Sequence, residues 1–128
     1  MLNKLIMNMI YEQLVSKTNT PVFSEINIKK AKDDLLGFNF TNKSVKITDD
    51  GRIIFPTLMV MKITPNGVAE KHGFRLGSQI LKINDRDVSL ENYNELVKNE
   101  NLKMKINTSY CMIYQLMLRE GFKFNFHY

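Results

Sequence analysis

The stretch that decides the fold is GVAEKHGFRLGSQILKIND, residues 67–85. Its first seven residues predict a short helix that ends at Gly73, because glycine adopts the left-handed conformation that often terminates helices. Gln79 to Ile83 is an apolar run that predicts a strand, and Asn84-Asp85 is typical of a turn. The stretch therefore predicts a helix, a strand and a turn in close succession.

A second stretch, LLGFNF at residues 35–40, lies upstream. Gly37 stands between Leu36 and Phe38, where it lets the backbone turn tightly and lets another backbone approach closely. Successive N–H groups in such a turn form a concavity that suits an anion, for example a terminal carboxylate. On its own the tripeptide also fits a strand with a kinked start, so its interpretation depends on the longer stretch downstream.

Together the two stretches resemble the PDZ domain. The family has a Φ-Gly-Φ carboxylate-binding loop, then a G-x-A-x-x-x-G-Φ-x-x-G-D-x-Φ-Φ-x-Φ-N-G run, then a peptide-binding helix. Residues 67–85 fit the run at nearly every position, with Ser78 where Asp is usual and Asp85 where Gly is usual. The resemblance covers residues 21–107. It implies an α+β fold, a partly open antiparallel β-barrel or sandwich of about five or six strands with two helices.

The flanking segments carry apolar side chains at helical spacing. Residues 1–20 predict an amphipathic helical extension from Leu2 to Val15. Residues 108–128 predict a helix from Ser109 to Arg119 and a strand-like tail from Phe122 to Tyr128. We therefore divide the chain into an N-terminal extension, a PDZ-like domain at residues 21–107, and a C-terminal extension.

Alternating apolar residues predict the remaining elements of the domain, namely strands at Val22–Ile28, Phe38–Thr41, Leu58–Ile63 and Leu102–Ile106, and a short strand around Val88. Residues 45–55 predict a hairpin that turns at Asp49-Asp50-Gly51. An insert at this point contacts upstream ligand residues in some PDZ domains, and a surface ornament is the alternative. A helix is predicted from Tyr93 to Glu100, with Asn92 as N-cap and Glu95 completing a capping box.

The resemblance implies that C-terminal tails of other proteins bind by β-strand addition. The tail would pair antiparallel with the second strand, on the side that faces the helix from Tyr93. Its carboxylate would lie on the N–H groups around Gly37, and its last side chain between Phe38, Phe40 and Val97. The predicted peptide-binding residues are Leu35, Leu36, Gly37, Phe38, Asn39, Phe40, Tyr93, Val97, Glu100 and Lys32.

The same residues predict which tails bind. The last residue should be hydrophobic, and the residue two before it acidic or hydrophobic, because a phenol at Tyr93 donates to carboxylates and its ring favours apolar groups. Either Lys30 or Lys32 stands where the family often has a basic residue that assists the carboxylate, and a solvated lysine is the alternative. Glu100 stands where a leucine often forms the floor of the terminal pocket.

Composition limits the other classes of function. The chain has 128 residues, 44% hydrophobic and 24% charged residues, and a net charge of +5, which is ordinary for a globular protein. Cys111 is the single cysteine, which argues against a disulfide framework and favours a reducing, cytoplasmic location, with the inner face of a membrane reached through partners. We predict no enzyme activity, cofactor, metal or nucleic-acid partner, and only peripheral membrane contact.

Two alternatives to tail binding stay open at this point. In the first, the chain is a structural or oligomerisation subunit whose apolar flanks matter most and whose groove is occupied or vestigial. In the second, scattered lysines bind an anionic membrane. The chain also ends in Phe126-His127-Tyr128, a sequence that a groove of this kind could accept. In its own groove the tail would make the domain autoinhibited, and in the groove of another copy it would make the chain self-associate. A tail that packs as an extra strand on the body of the domain is the alternative.

Overall fold

The computed structural model describes Glu12 and residues 20–47 and 53–121. Within these residues the strands are β1 (Phe23–Lys29), β2 (Phe38–Phe40), β3 (Val45–Lys46), β4 (Ile54–Phe55), β5 (Val60–Ile63), β6 (Gln79–Ile83), β7 (Arg86–Asp87) and β8 (Asn101–Asn107). The helices are α1 (Val68–Lys71), α2 (Tyr93–Leu96) and α3 (Cys111–Arg119). The predicted N-terminal helix, the turn at Asp49-Asp50-Gly51 and the tail from Phe122 to Tyr128 lie outside the described residues.

One sheet has four strands in the order β1-β8-β6-β7, with every neighbouring pair antiparallel. β8 lies in its interior and alternates as the sequence predicts. Leu102, Met104 and Ile106 are buried, and Lys103 and Lys105 between them are exposed. Because successive side chains of a strand point to opposite faces, one face of this sheet lies on a core and the other faces solvent.

A second sheet, in which β2 pairs antiparallel with β5, contributes to the same core. This first core, which we call core one, collects buried side chains from both sheets and from α1 and α2. Its members are Ile28, Leu36, Leu58, Val60, Ala69, Phe74, Ile80, Ile83, Leu96, Leu102, Met104 and Ile106. Strands and helices from most of residues 28–106 therefore close around one apolar centre.

The predicted hairpin is confirmed for the residues on either side of its turn, where Val45 pairs with Phe55 and Lys46 with Ile54. It is not a surface ornament. Ile53 is 1% exposed and Phe55 is fully buried, and both pack with α3 in a second core. We call this cluster, composed of Ile53, Phe55, Met59, Met61, Ile113, Tyr114 and Met117, core two.

The C-terminal helix α3 confirms the predicted helix and is fixed to the domain at its start and in its middle. Near its start, a Cβ on Gly77 would lie 2.7 Å from the Cα of Cys111, so only glycine permits this close approach. Further along, the hydroxyl of Tyr114 donates to the carbonyl of Met61 at 3.1 Å, and the amide of Gln115 donates to the carbonyl of Leu76 at 2.9 Å. The helix is therefore an integral part of the fold.

The turn between β6 and β7 shows how an aspartate replaces the glycine that the family pattern has there. Asn84 and Asp85 have φ of 51° and 67°, the conformation of a tight hairpin turn, which Asn and Asp tolerate better than other side chains. The carboxylate of Asp85 accepts a hydrogen bond from Lys103 Nζ at 2.9 Å. The strand predicted around Val88 lies just before it, at Arg86–Asp87.

Candidate peptide-binding groove

The loop before β2 holds its glycine in the conformation that the sequence predicts. Gly37 has φ of +82°, a value that costs other residues energy. The carbonyls on either side of the turn are used internally, since Leu36 accepts from the N–H of Ala69 at 2.7 Å and Gly37 from the N–H of Thr64 at 2.8 Å. The loop is therefore anchored to α1 and to the end of β5.

Two N–H groups of the same loop have no partner among the described residues. In the part of the chain that the structure describes, the N–H groups of Leu36 and Gly37 donate no hydrogen bond. Unpaired successive N–H groups form a site for an anion. The loop thus offers two donors while its carbonyls are already occupied.

The outer edge of β2 is also free. Residues opposite each other in an antiparallel ladder alternate between hydrogen-bonded and non-hydrogen-bonded pairs. Because Gly37 and Thr41 bond towards the β5 side, the N–H and C=O groups of Phe38 and Phe40 point the other way. No described strand pairs there. We call the space between this edge and α2 the groove.

Aromatic side chains line the groove. The ring of Tyr93 on α2 lies 4.7 Å from that of Phe40, in an edge-to-face arrangement, and 6.4 Å from that of Phe38. Phe38 also packs edge-to-face on Phe74 at 5.3 Å. Phe74 belongs to the family pattern in residues 67–85, but it was not among the predicted residues of the groove wall. Edge-to-face pairs of this kind contribute about 0.5–1.5 kcal/mol beyond area burial, so the Phe40–Tyr93 pair stabilises the packing of α2 against β2.

The surroundings of Tyr93 stabilise the neutral form of its phenol, which also predominates at pH 7 in an exposed tyrosine. Burial raises its pKa well above the ordinary value of 10.0, because the apolar groove disfavours the phenolate. No group in the described residues hydrogen-bonds to its hydroxyl. At neutral pH, Tyr93 therefore presents an unused O–H donor in an apolar wall.

Helix α2 is shorter than predicted. It ends at Leu96, and the prediction of a helix as far as Glu100 was wrong. The N–H of Lys98 bonds three residues back, to Glu95 at 3.3 Å, and the side-chain amide of Asn99 donates to the carbonyl of Leu96 at 3.2 Å. Since these bonds occupy carbonyls that a longer helix would use, the chain leaves the helix after one turn.

The predicted capping box was also wrong. Asn92 is the N-cap residue, but its side chain makes no cap bond. Instead its carbonyl oxygen accepts from the N–H of Ser89 at 2.8 Å and its amide donates to the carbonyl of Asp87 at 2.9 Å. The side chain of Glu95 pairs with Lys98 at 3.1 Å. The side chain of Asn92 thus stabilises the turn of residues 87–92 that precedes α2.

The other predicted site residues divide between the core and the solvent. Leu36 is a buried member of core one, and Val97 packs partly buried against it. Leu35 is 86% exposed, and Lys32, Asn39 and Glu100 are also exposed. The structure therefore gathers Leu36, Gly37, Phe38, Phe40, Tyr93 and Val97 around the groove, with Leu35, Lys32, Asn39 and Glu100 towards solvent.

Of the two candidate lysines, Lys30 is the one held by the loop. It is 9% exposed, and its ammonium donates to the carbonyls of Ala31 at 3.2 Å and Lys32 at 3.0 Å. Its own N–H bonds to the carbonyl of Glu100 at 2.9 Å, which ties the loop to the chain after α2. The loop before Gly37 therefore contains a fixed positive charge.

Other reactive groups lie away from the groove. Cys111 is 1% exposed at the start of α3, and burial raises the pKa of its thiol. Among residues 20–47 and 53–121, no three His, Cys, Asp or Glu side chains are grouped so that they could hold a metal ion. In the same residues, no helix has the length and apolar character needed to cross a membrane.

The strand order and the loop geometry define a PDZ-like α+β fold. The N-terminal PDZ domain of InaD, crystallised in complex with a NorpA C-terminal peptide, is similar with a TM-score of 0.53 and 18% identity. The match covers 69% of this chain and 98% of that domain. No protein-family model and no curated protein sequence matches the chain.

Proposed function

We propose that the groove binds the C-terminal tails of partner proteins by adding the tail as a strand to the outer edge of β2. The observation that supports this most is the free edge itself, where the N–H and C=O groups of Phe38 and Phe40 lie unpaired beside α2. Main-chain hydrogen bonds to these groups would fix the register of the tail and favour any sequence in extended form.

The loop before β2 contains the groups that would distinguish a free C-terminus from an internal segment of a chain. The free N–H groups of Leu36 and Gly37 bind the terminal carboxylate, and the ammonium of Lys30, held within the loop, adds a favourable charge. Hydrogen bonds to a charged acceptor contribute about 1.5–3 kcal/mol, more than those to a neutral one.

Side-chain preference follows from the walls of the groove. Phe38, Phe40 and Val97 pack partly buried against core one, so they offer apolar surface to a hydrophobic last residue. Tyr93 meets the residue two before the end, and its neutral phenol donates to an acidic side chain while its ring contacts an apolar one. The ligands we propose therefore have Asp, Glu or a hydrophobic residue at that position.

Support for this class of ligand comes from the InaD domain, which has the same fold and is described in complex with a C-terminal peptide. A role as an adaptor that occupies tails of cytoplasmic proteins fits the groove that the described residues form. In the alternative of a subunit that associates through its flanks, Ile113, Tyr114 and Met117 of α3 are not part of the contact, because they pack into core two. Met112 and Leu118 of the same helix are exposed and are the apolar residues of α3 that such an association would use.

The proposal is tested with pairs of peptides that differ only at their last group. A library of tails with hydrophobic ends is screened as free acids, and the best binder is then made as the C-terminal amide. The amide removes the anion and should bind about tenfold or more weakly, as measured by fluorescence polarisation. Equal affinity of acid and amide, or no binder among the acids, would contradict the proposal.

A further inference from the structure

Within residues 20–47 and 53–121, the edge strand β1 has a row of backbone groups without a partner, and it lies in a different sheet from β2. At one end of the β1–β8 ladder the N–H of Thr108 bonds to the carbonyl of Val22 at 2.8 Å, and at the other the N–H of Lys30 bonds to the carbonyl of Glu100 at 2.9 Å. The register between them is regular. By the alternation of an antiparallel ladder, the even-numbered residues face β8 and the odd-numbered ones face outwards.

This outward row is long, and no segment of the described residues pairs with it. β1 has 7 residues and contains no proline, and no bulge interrupts its pairing with β8. Among the described strands none lies beyond it, since it is the first in the order β1-β8-β6-β7. An exposed strand edge of this kind is a template for another strand unless a bulge, a proline or a covering segment blocks it.

The exposed side chains along β1 follow the order acid, neutral, base. This order is complementary to the same strand of a second copy that runs antiparallel. Glu25, Asn27 and Lys29 all point to solvent, with the acid and the base at equal distances from the asparagine. In a two-fold antiparallel pairing centred on Asn27, Glu25 of each copy lies opposite Lys29 of the other. A pairing centred on Glu25 or Lys29 places like charges opposite each other, and one centred on Ile26 places Glu25 opposite Asn27 and forms no ion pair.

We propose that β1 is a self-association edge, at which two copies of this chain pair antiparallel about Asn27 and join their four-stranded sheets into one. Residues 25, 27 and 29 are all odd-numbered, so the outward N–H and C=O groups meet in hydrogen-bonded pairs. Each copy uses the same surface, so the assembly closes as a dimer and does not grow into a filament. The grooves at β2 stay free, and the proposal is independent of what they bind.

The dimer is a weak one. A single pair of strand edges buries less than the roughly 1,200–2,000 Å² of a standard stable interface. We therefore expect dissociation constants of about 10 µM to 1 mM, a range in which local concentration controls the state of the protein.

Charge reversal at the edge provides a direct test, read out by sedimentation equilibrium of the full chain over a concentration series. Glu25→Lys alone places Lys opposite Lys29, and Lys29→Glu alone places Glu opposite Glu25, so each variant should dimerise at least about tenfold more weakly than the wild type. A mixture of the two variants restores both opposite-charge pairs and should form a heterodimer. Lys71→Glu, an exposed charge change on α1, is the matched control and should dimerise like the wild type.

A second variant tests the backbone. The N–H of Asn27 faces outwards, so Asn27→Pro removes a donor from the edge and none from the β8 ladder. It should abolish dimerisation while circular dichroism shows an intact fold. Circular dichroism also checks Glu25→Lys, since Glu25 lies opposite Lys105 within the sheet.

Three results would overturn the proposal. The first is a wild-type chain that stays monomeric up to about 1 mM. The second is association that both charge variants retain. The third is association that disappears on deletion of Phe122–Tyr128 but survives Asn27→Pro, because the C-terminal tail and not β1 would then join the copies.

Discussion

Core two and the groove are built on opposite sides of the same strand, and they differ in how completely they are closed. In and just before β5, Leu58 and Val60 belong to core one, whereas Met59 and Met61 belong to core two. Core two is sealed by the hairpin and by α3, with Phe55 fully buried. The groove side keeps partly buried aromatic rings, an unpaired strand edge and free N–H groups.

The difference shows where stability and binding reside. Tight burial with few open polar groups is what stabilises a small domain, and unpaired backbone beside apolar surface is what a ligand requires. The hairpin and α3 supply the first, and they allow β2 and α2 to stay open. Substitutions in core two should therefore change stability, and substitutions in the groove should change binding.

The largest effect is expected from Phe55→Ala. The side chain is fully buried and packs edge-to-face on Tyr110 and Tyr114 at 6.0 and 5.5 Å. Its loss should lower the free energy of unfolding by about 3–5 kcal/mol, as measured by urea denaturation. Ile54→Ala is the neighbouring control, because Ile54 is 47% exposed, and it should cost about 1 kcal/mol or less. Similar losses in both variants would show that core two is not closed.

Gly37→Ala and Gly73→Ala separate backbone strain from ligand binding. Both glycines have positive φ, 82° and 83°, and each variant should be destabilised by about 1–3 kcal/mol. Only Gly37 lies in the loop whose N–H groups we assign to the carboxylate. Peptide affinity, measured below the unfolding transition, should fall for Gly37→Ala and be unchanged for Gly73→Ala. An equal change in both would remove the loop from the site.

Two Tyr→Phe substitutions, one in core two and one in the groove, remove the same hydroxyl group and so allow the stability of the two regions to be compared. Tyr114 donates to the carbonyl of Met61 within core two, so Tyr114→Phe leaves a buried carbonyl without that donor and should cost about 1–2 kcal/mol. Tyr93 has no such bond in the described residues, and Tyr93→Phe should change stability by about 0.5 kcal/mol or less. Thermal and urea denaturation of the two variants measure the difference, and the reverse order would contradict it.

We expect the smallest effect in the pH dependence of stability that Tyr93 causes at alkaline pH. The pKa of Tyr93 is higher in the folded chain than its ordinary value of 10.0, because burial disfavours the phenolate. The folded state then holds the proton more tightly than the unfolded state, so this contribution to stability is complete below pH 10 and is lost as the pH rises above it. In urea denaturation between about pH 9 and 11, Tyr93→Phe should lose stability less steeply than the wild type. Parallel pH profiles would show that the ring is solvated.

The sequence was most informative where local rules decide the structure. The alternation around Leu102 to Ile106 placed β8, and Gly37 placed the turn that its positive φ confirms. It was least informative where a side chain has competing local bonds. Asn92 bonds Ser89 and Asp87 and makes no cap, and Asn99 bonds Leu96 near the end of α2, where periodicity gave no sign of a stop.

Long-range packing was the other feature that could not be predicted from the sequence. The hairpin and α3 are each visible as patterns, but their partnership brings Phe55 against Tyr114, far apart in the chain, and no periodicity reports such a contact. The contact between Phe74 and Phe38 in the groove wall is likewise a long-range contact that no sequence pattern predicts. The exposure of Leu35 depends on the path of the loop before Gly37, and the exposure of Glu100 depends on where α2 ends. Neither feature could be predicted from the sequence.

Backbone amide shifts on addition of a peptide show directly whether a tail binds between β2 and α2. A ¹⁵N-labelled chain is titrated with the best free-acid tail, and the peptide amide serves as control. We expect the largest shifts at Leu36, Gly37, Phe38 and Phe40 and only small shifts in the residues of α3. The peptide amide should leave the shift of Gly37 nearly unchanged. Largest shifts in the hairpin or α3, with the N–H groups of Leu36 and Gly37 unaffected, would contradict it.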